Sequence, residues 1–226
     1  MNLLGFDTST AATSACVLRD DGAGFEFVPP VEALGEPPAH ARELLPEVTG
    51  CLERAGLSFE QLDAVAVGVG PGTFTGLRIG VATARGLAHA HGLEVRPVSS
   101  LAALAEGIEA PRRLALIDAK RGELFAALYD DGRERIAPFV ATPEALIERL
   151  RSDGLLSDES LLAAGDGSLR FREALEAGGV AVAEPDSTSH VVRALHLCRL
   201  AGQTFAVPAD AVLPQYLREP DAKPPS

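Results

Sequence analysis

The sequence is poor in several residue types that commonly mark a functional class. It contains no tryptophan, one methionine and three cysteines among 226 residues. Cys16, Cys51 and Cys198 are odd in number and form no Cys-x-x-Cys pair, which argues against a disulfide scaffold or a zinc site built from thiolates. We therefore expect three buried thiols in a reducing compartment.

Positive charge and long apolar segments are also scarce. Twenty lysines and arginines stand against 32 acidic residues, which gives a net charge of -12. Such a chain repels a phosphate backbone, so if a nucleic acid is involved, we expect a partner to bring most of the positive charge. No segment has the length to span a membrane, and no basic stretch of a signal peptide follows the first residue. We expect a cytoplasmic protein that does not enter a membrane.

The sequence lacks the common local signatures of hydrolytic chemistry. It has no Gly-x-Ser-x-Gly elbow and no Walker sequence. Five histidines are present, and no two have the four-residue spacing of a zinc pair on a helix. We therefore predict neither a catalytic residue nor a metal ligand.

Apolar runs of strand length alternate with helical patterns in the first hundred residues. Strands are predicted at residues 3–7, 64–69 and 95–98, and helices at residues 40–55 and 77–89. Strand, helix, strand, helix and strand in succession indicate an α/β protein with a parallel layer.

The second half of the chain repeats the beginning in outline. Asp7 and Asp118 each end an apolar strand, and each is followed by a polar turn, a second strand and an Asp-Asp-Gly turn. We predict a weak internal duplication. The predicted parts are a lobe at 1–107 with a mixed sheet and two main helices, a shortened lobe at 108–207 and an irregular tail at 208–226. Later elements are predicted as a helix opened by Thr142, strands at 161–164 and 180–183, and a helix at 187–201.

Two turns at strand ends could contact a ligand. Backbone N–H groups of the Asp7 turn and of the glycine-rich turn at 70–76 could hold phosphate beside a helix N-terminus, or the glycines could only permit close packing. Likewise, Asp7 and Asp118 could hold a divalent ion or form turns. A turn with a helix cap is the alternative to a nucleotide contact at Gly165. The candidate nucleotide-binding residues are Asp7, Thr8, Ser9, Gly70, Gly72, Thr73, Asp118 and Gly165.

The second predicted helix carries small residues at four-residue intervals. A glycine inside a helix costs ~1 kcal/mol relative to alanine, so the stripe requires a compensating contact. That contact is either the chain's own sheet or a helix of a partner that approaches closely. The candidate partner-interface residues are His40, Leu44, Gly76, Gly80, Ala84 and Ala88.

Four segments together resemble the bacterial TsaB family, and the resemblance covers nearly the whole chain. They are LGFDTS at 4–9, GVGPGTFTGLRIG at 68–80, DAKRGE at 118–123 and PQYLR at 214–218. The resemblance implies the fold of the actin, sugar-kinase and chaperone ATPase superfamily, with two ribonuclease-H-like lobes of which the second is shortened. It also implies a role in placing threonylcarbamoyl on the adenosine beside the tRNA anticodon, together with a homologous catalytic subunit, TsaD, and a small ATPase, TsaE.

The resemblance further implies a lost active site. The catalytic homologue carries two metal-binding histidines after the strand that follows the glycine-motif helix. In this chain Ser100 and Leu104 occupy those positions, and leucine cannot bind a metal. The implied protein is a scaffold without a cofactor that activates TsaD through a helix-packed heterodimer, with a homodimer as a further possibility and tRNA contacted through the complex.

Two other functions are open at this point. One is a phosphotransferase or ATPase that still uses Asp7, the glycine turn and Asp118 around a nucleotide. The other, a metallopeptidase suggested by older naming of this branch, lacks the required histidine pair. ATP binding or hydrolysis by the isolated chain distinguishes the ATPase from the scaffold.

Overall fold

The first sheet is built around a buried parallel pair of strands. The computed structural model describes residues 1–156 and 160–218. The strands of the first sheet are β1 (Leu3–Asp7), β2 (Ser14–Leu18), β3 (Gly24–Phe27), β4 (Ala64–Gly68) and β5 (Glu94–Val98). Their order is β3-β2-β1-β4-β5, with the first three antiparallel and with β4 and β5 parallel to β1. Every residue of β1 and β4 is buried, as a strand covered on both faces requires.

The second sheet has the same order in its four strands. They are β6 (Arg112–Lys120), β7 (Glu123–Asp130), β8 (Arg133–Ala141) and β9 (Leu161–Ala164), arranged β8-β7-β6-β9. β6 is antiparallel to β7 and parallel to β9, as β1 is to β2 and β4. Asp7 and Asp118 therefore lie near the ends of corresponding strands. The lobe limits at 107 and 207 stay a prediction.

Seven α-helices cover the two sheets and fill the space between them. They are α1 (His40–Ala55), α2 (Phe74–His91), α3 (Ser100–Glu106), α4 (Pro143–Ser152), α5 (Asp166–Arg170), α6 (Arg172–Ala177) and α7 (Ala194–Ala201), counted over the described residues. Helices α1 and α2 pack on the outer face of the first sheet. Helices α3 and α7 share one core with the inner faces of both sheets, and α4 and α6 cover the outer face of the second sheet.

Several predicted elements have different limits in the structure. Residues 180–183 form a single bridge, between Val182 and Ala163, instead of a strand. The helix predicted at 187–201 begins only at Ala194, because the Ser187 hydroxyl accepts a hydrogen bond from Ser189 N and caps a separate short turn. Strand β8 and helix α3 were not predicted.

The tail predicted at 208–226 is only partly covered by the structure. Up to residue 218 it contains one short 3-10 turn at Ala209–Ala211. Residues 219–226 lie outside the described residues. Within the described ranges, the helices are all too short or too polar to cross a lipid bilayer.

The small-residue stripe of α2 faces the chain's own sheet. Gly76, Gly80, Ala84 and Ala88 are all buried. A Cβ on Gly76 would overlap the Thr8 carbonyl oxygen, and one on Gly80 would lie 2.5 Å from Thr8 Oγ1. His40 and Leu44 of α1 are buried as well. The structure shows the internal packing of these six residues, and their part in a partner interface stays a prediction.

Glycine substitutions on the two sides of α2 test this packing. Gly80→Leu is expected to lower the free energy of unfolding by about 1–3 kcal/mol, because the side chain must displace Thr8. Gly86→Ala is expected to raise it by about 0.5–1 kcal/mol, because no atom lies within 4 Å of an added Cβ and alanine favours the helix. Urea unfolding followed by circular dichroism measures both. Equal stability of the two variants would contradict the packing described.

Candidate functional site

The turn after β1 is a buried hydrogen-bond network centred on Asp7. The Asp7 carboxylate is 1% exposed. Its Oδ1 accepts hydrogen bonds from Ser9 N at 2.8 Å and Ser9 Oγ at 2.6 Å, and its Oδ2 accepts one from Ser100 Oγ at 2.7 Å. Burial raises the pKa of Asp7, and the hydrogen bonds from Ser9 and Ser100 oppose that rise.

The glycine-rich loop packs directly on this turn. Thr73 N donates a hydrogen bond to the Ser9 carbonyl oxygen at 2.7 Å, and Thr8 Oγ1 donates one to the Gly76 carbonyl oxygen at 2.8 Å. Gly72 lies so close to Ser9 that a Cβ there would overlap the Ser9 carbonyl group. The structure therefore brings the two predicted turns into direct contact, and each turn packs against the backbone of the other.

Ser100 joins the loop to the network from the start of α3. Its hydroxyl donates to Asp7 and accepts a hydrogen bond from Gly70 N at 3.2 Å. Gly70 has a φ of 107°, which glycine adopts without strain. Our sequence analysis identified Ser100 as a replaced metal ligand and missed this bridging role, because nothing in the sequence places residue 100 beside residue 7.

Two N–H groups of the glycine loop are not available to the phosphates of a nucleotide. Phosphate binding in such turns requires backbone N–H groups that point into open space. The N–H groups of Gly70 and Thr73 are both taken by protein acceptors, and Pro71 between them has none. Leu104 is fully buried in the core between the sheets. No group of three or more metal-ligating side chains occurs within residues 1–156 and 160–218.

Asp118, at the end of β6, is held by two cations. Its Oδ2 accepts hydrogen bonds from Lys120 Nζ at 2.9 Å and from a terminal nitrogen of Arg170 at 2.8 Å, and its Oδ1 accepts one from Lys120 N at 2.8 Å. Burial alone would raise the pKa of Asp118, but the hydrogen bonds from Lys120 and Arg170 outweigh it and hold the pKa below its usual value. Asp118 is thus already neutralised by its neighbours.

A cleft of about 660 Å³ opens beside this ion-pair cluster. Among the described residues that line the cleft, Asp118 is the one that belongs to the eight candidate nucleotide-binding residues. The cleft is therefore separate from the Asp7 turn. Its apolar lining side chains include Leu34 and Leu169. Gly165 is a packing residue, because its φ is 119° and a Cβ would overlap the Leu116 carbonyl oxygen.

Asp166, at the start of α5, is the carboxylate of the cleft that contacts Asp118 directly. Its Oδ1 accepts a hydrogen bond from Asp118 N at 3.0 Å. Burial raises the pKa of Asp166 to about 6. The sequence predicts a turn in this segment. It gives no sign of the hydrogen bond to Asp118, which is 48 residues away.

The arrangement of the two sheets defines the fold class of the protein. Two sheets of the same strand order, with helices between them and carboxylates at corresponding strand ends, form an α/β protein of the actin-like ATPase fold. The model of the family described as TsaD, tRNA N6-adenosine threonylcarbamoyltransferase, matches residues 36–183.

Named relatives narrow the class. TsaB of Escherichia coli, a tRNA threonylcarbamoyladenosine biosynthesis protein, is 36% identical over 67% of this chain and 67% of its own length. TsaB of Bacillus subtilis is 26% identical over 99% and 96%. The structure of YeaZ from Pseudomonas aeruginosa superposes with a TM-score of 0.75 at 32% identity, over 96% of this chain and 99% of that one. The chain belongs to the TsaB family.

Some relatives are longer than the region matched. The aligned part spans 39% of an uncharacterized protein of Mycobacterium leprae at 40% identity over 62% of this chain. It spans 64% of a Mycobacterium tuberculosis protein at 39% identity over 61% of this chain.

The raised pKa of Asp166 predicts a pH dependence of stability. The folded chain holds the Asp166 proton more tightly than the unfolded chain between the ordinary value of 3.8 and about 6. Stability should therefore gain up to about 1.4 kcal/mol per pH unit as pH falls through that window. Asp166→Asn removes this gain, so the variant should be the more stable protein at pH 7 and lose its advantage by pH 4.

Asp118→Asn is measured alongside by urea unfolding at the same pH values. The Asp118 charge is one of the causes that raise the pKa of Asp166, so this variant should reduce the gain at low pH without abolishing it. Because the pKa of Asp118 is lowered, its stabilising effect persists above 3.8 and disappears only below it. A difference between wild type and Asp166→Asn that stays constant from pH 4 to 7 would refute the assignment.

Proposed function

We propose that this chain is a non-catalytic subunit of a cytoplasmic complex that modifies tRNA. The complex transfers threonylcarbamoyl from threonylcarbamoyl-AMP to N6 of the adenosine next to the anticodon. The observation that carries the proposal is the closed network of Asp7, Ser100 and Gly70. It occupies the position where the resemblance places the metal site of the catalytic homologue.

The two replaced metal ligands have taken on structural roles. Ser100 uses its hydroxyl for Asp7 and for Gly70 N. Leu104 packs between the two sheets and has no atom that could bind a metal. These contacts support a subunit that contributes a binding surface and no catalytic group. We assign catalysis to TsaD.

Charge supports an indirect relation to tRNA. A net charge of -12 opposes the release of counterions on which binding to nucleic acid depends. We therefore assign the main phosphate contacts to the partner subunits, and tRNA is reached through the complex.

The surface proposed for TsaD is the outer side of α1 and α2. Small residues occupy four of the seven exposed positions of α2. These four are Thr75, Ala82, Gly86 and Ala90. On α1 the side chain of Leu45 is 54% exposed. Small residues permit helix axes to approach within ~8–10 Å, so this side suits another pair of helices.

A groove of about 530 Å³ lies between the beginnings of α1 and α2. Its wall includes Ala41, Thr75 and Ile79. The TsaD family model covers both helices, so the proposed partner carries a related helix pair. The heterodimer would place one pair against the other. A homodimer of this chain would compete for the same surface, and TsaE would join the assembled heterodimer.

Alanine-to-leucine changes on two exposed helices test the interface. Ala82→Leu on α2 is expected to weaken binding to TsaD at least about tenfold, because the larger side chain separates the helices. Ala174→Leu on α6 makes the same change at an exposed position far from α1 and α2 and should bind normally. Calorimetry with purified TsaD measures binding, and circular dichroism verifies the fold.

Modification of tRNA by TsaD and TsaE with each variant supplies the functional measurement. Wild type and Ala174→Leu should stimulate modification, and Ala82→Leu should not. Normal binding by Ala82→Leu would place the interface elsewhere. If wild-type protein neither binds TsaD nor stimulates modification, the proposed function itself is wrong.

A further inference from the structure

The C-terminal residues 207–218, here called the strap, follow a path across the molecule that the proposed function does not explain. The strap begins at the edge of the first sheet, where Val207 N donates to the Val95 carbonyl oxygen at 2.9 Å. Val212 is 1% exposed and lies in the core beneath α2. The strap is therefore anchored at its beginning by a sheet hydrogen bond and a core side chain.

The middle of the strap is fixed to α2. Asp210 Oδ1 is 3.1 Å from both a terminal nitrogen of Arg85 and His89 Nε2. Further along, Tyr216 Oη accepts a hydrogen bond from Arg78 Nε at 3.1 Å. The strap thus follows α2 from its last turns back to its first turn.

Aromatic contacts strengthen the attachment at the first turn of α2. The rings of Tyr216 and Phe74 have centroids 5.2 Å apart, and the Arg78 guanidinium lies 3.7 Å from the Phe74 centroid. Two side chains, Phe74 and Arg78, therefore hold Tyr216 against the first turn of α2.

The strap also contacts the glycine loop through its backbone. Gln215 N donates a hydrogen bond to the Val69 carbonyl oxygen at 2.7 Å. The Gln215 carbonyl oxygen lies over Gly70, where an added Cβ would be 3.1 Å away. The loop that Ser100 holds from below is consequently covered by Gln215 from the other side.

The described part of the strap ends on the second sheet. A terminal nitrogen of Arg218 donates to Glu123 Oε2 at 2.6 Å, and both side chains are about one-third exposed, at 29% and 34%. Glu123 is the first residue of β7 and pairs with Lys120 across the hairpin that carries Asp118. The strap therefore connects the glycine loop of the first sheet to the β6–β7 hairpin of the second.

We infer that the strap is a latch that ties the glycine loop after β4 to the β6–β7 hairpin, in addition to the core that α3 and α7 share with both sheets. Gln215 and Tyr216 hold the glycine loop and the first turn of α2, and Arg218 holds the hairpin. When the latch is released, the glycine loop and the β6–β7 hairpin gain freedom together. This inference does not depend on the partner or on the reaction.

Charge reversal at the Arg218–Glu123 pair tests the latch in the full-length chain. Arg218→Glu and Glu123→Arg should each accelerate hydrogen exchange about two- to fivefold at residues 69–73 and 118–123, as expected for a partly exposed ion pair. The double variant restores opposite charges and should return both segments to wild-type rates. Hydrogen exchange followed by mass spectrometry or NMR measures both segments at once.

Two further variants complete the test. Arg151→Glu disrupts an exposed pair with Glu148 of similar length, 2.7 Å, within α4 and should leave both segments unchanged. A chain that ends after Leu213 keeps the contacts of Val207, Asp210 and Val212 and loses those of Gln215, Tyr216 and Arg218, so its exchange at both segments should accelerate more than in either single variant. Unchanged exchange in the single variants, or equal acceleration throughout the chain, would overturn the inference. So would a double variant that is not restored.

Discussion

The buried carboxylate of Asp7 is the constraint on which the rest of the site depends. A charge taken out of water at the end of β1 must be satisfied by donors, or its burial costs several kcal/mol. Ser9 supplies two donors from the turn itself, and Ser100 supplies the third from α3. Because Ser100 also receives the Gly70 N–H, the same requirement fixes the glycine loop and the start of α3.

The second sheet solves the same problem with cations. Asp118 lies at the corresponding strand end and is satisfied by Lys120 and Arg170. The Asp7 carboxylate is thus satisfied by hydroxyl and amide donors, and the Asp118 carboxylate by ion pairs. These contacts support the proposal that the chain acts as a structural partner.

Sequence patterns predicted the elements that have strong periodicity. The helix at His40–Ala55 and the strand at Ala64–Gly68 follow directly from spacing of buried residues. Helix α3 was not predicted, because it has only seven residues and five of them are buried, so its sequence shows no polar face. The small stripe of α2 was recognised, but spacing alone does not say which side of a helix meets the sheet, since α2 carries small residues on both.

The candidate site was predicted only in its local parts. The Asp7 turn and the glycine loop were identified from their residue types, and the structure brings them into contact. The partners that decide their chemistry are distant in sequence. Ser100 is 93 residues from Asp7, and Arg170 is 52 residues from Asp118. A single sequence without covariation gives no information on such pairs. The hydrogen bonds that satisfy Asp7 and Asp118 were therefore found only in the structure.

Titration of the isolated chain with ATP and Mg²⁺ by calorimetry tests the central claim most directly. The account predicts no saturable binding up to about 1 mM nucleotide, because the N–H groups of Gly70 and Thr73 and the carboxylates of Asp7 and Asp118 already have protein partners. Stoichiometric binding with a dissociation constant below about 10 μM would contradict it and would favour the nucleotide-dependent alternative.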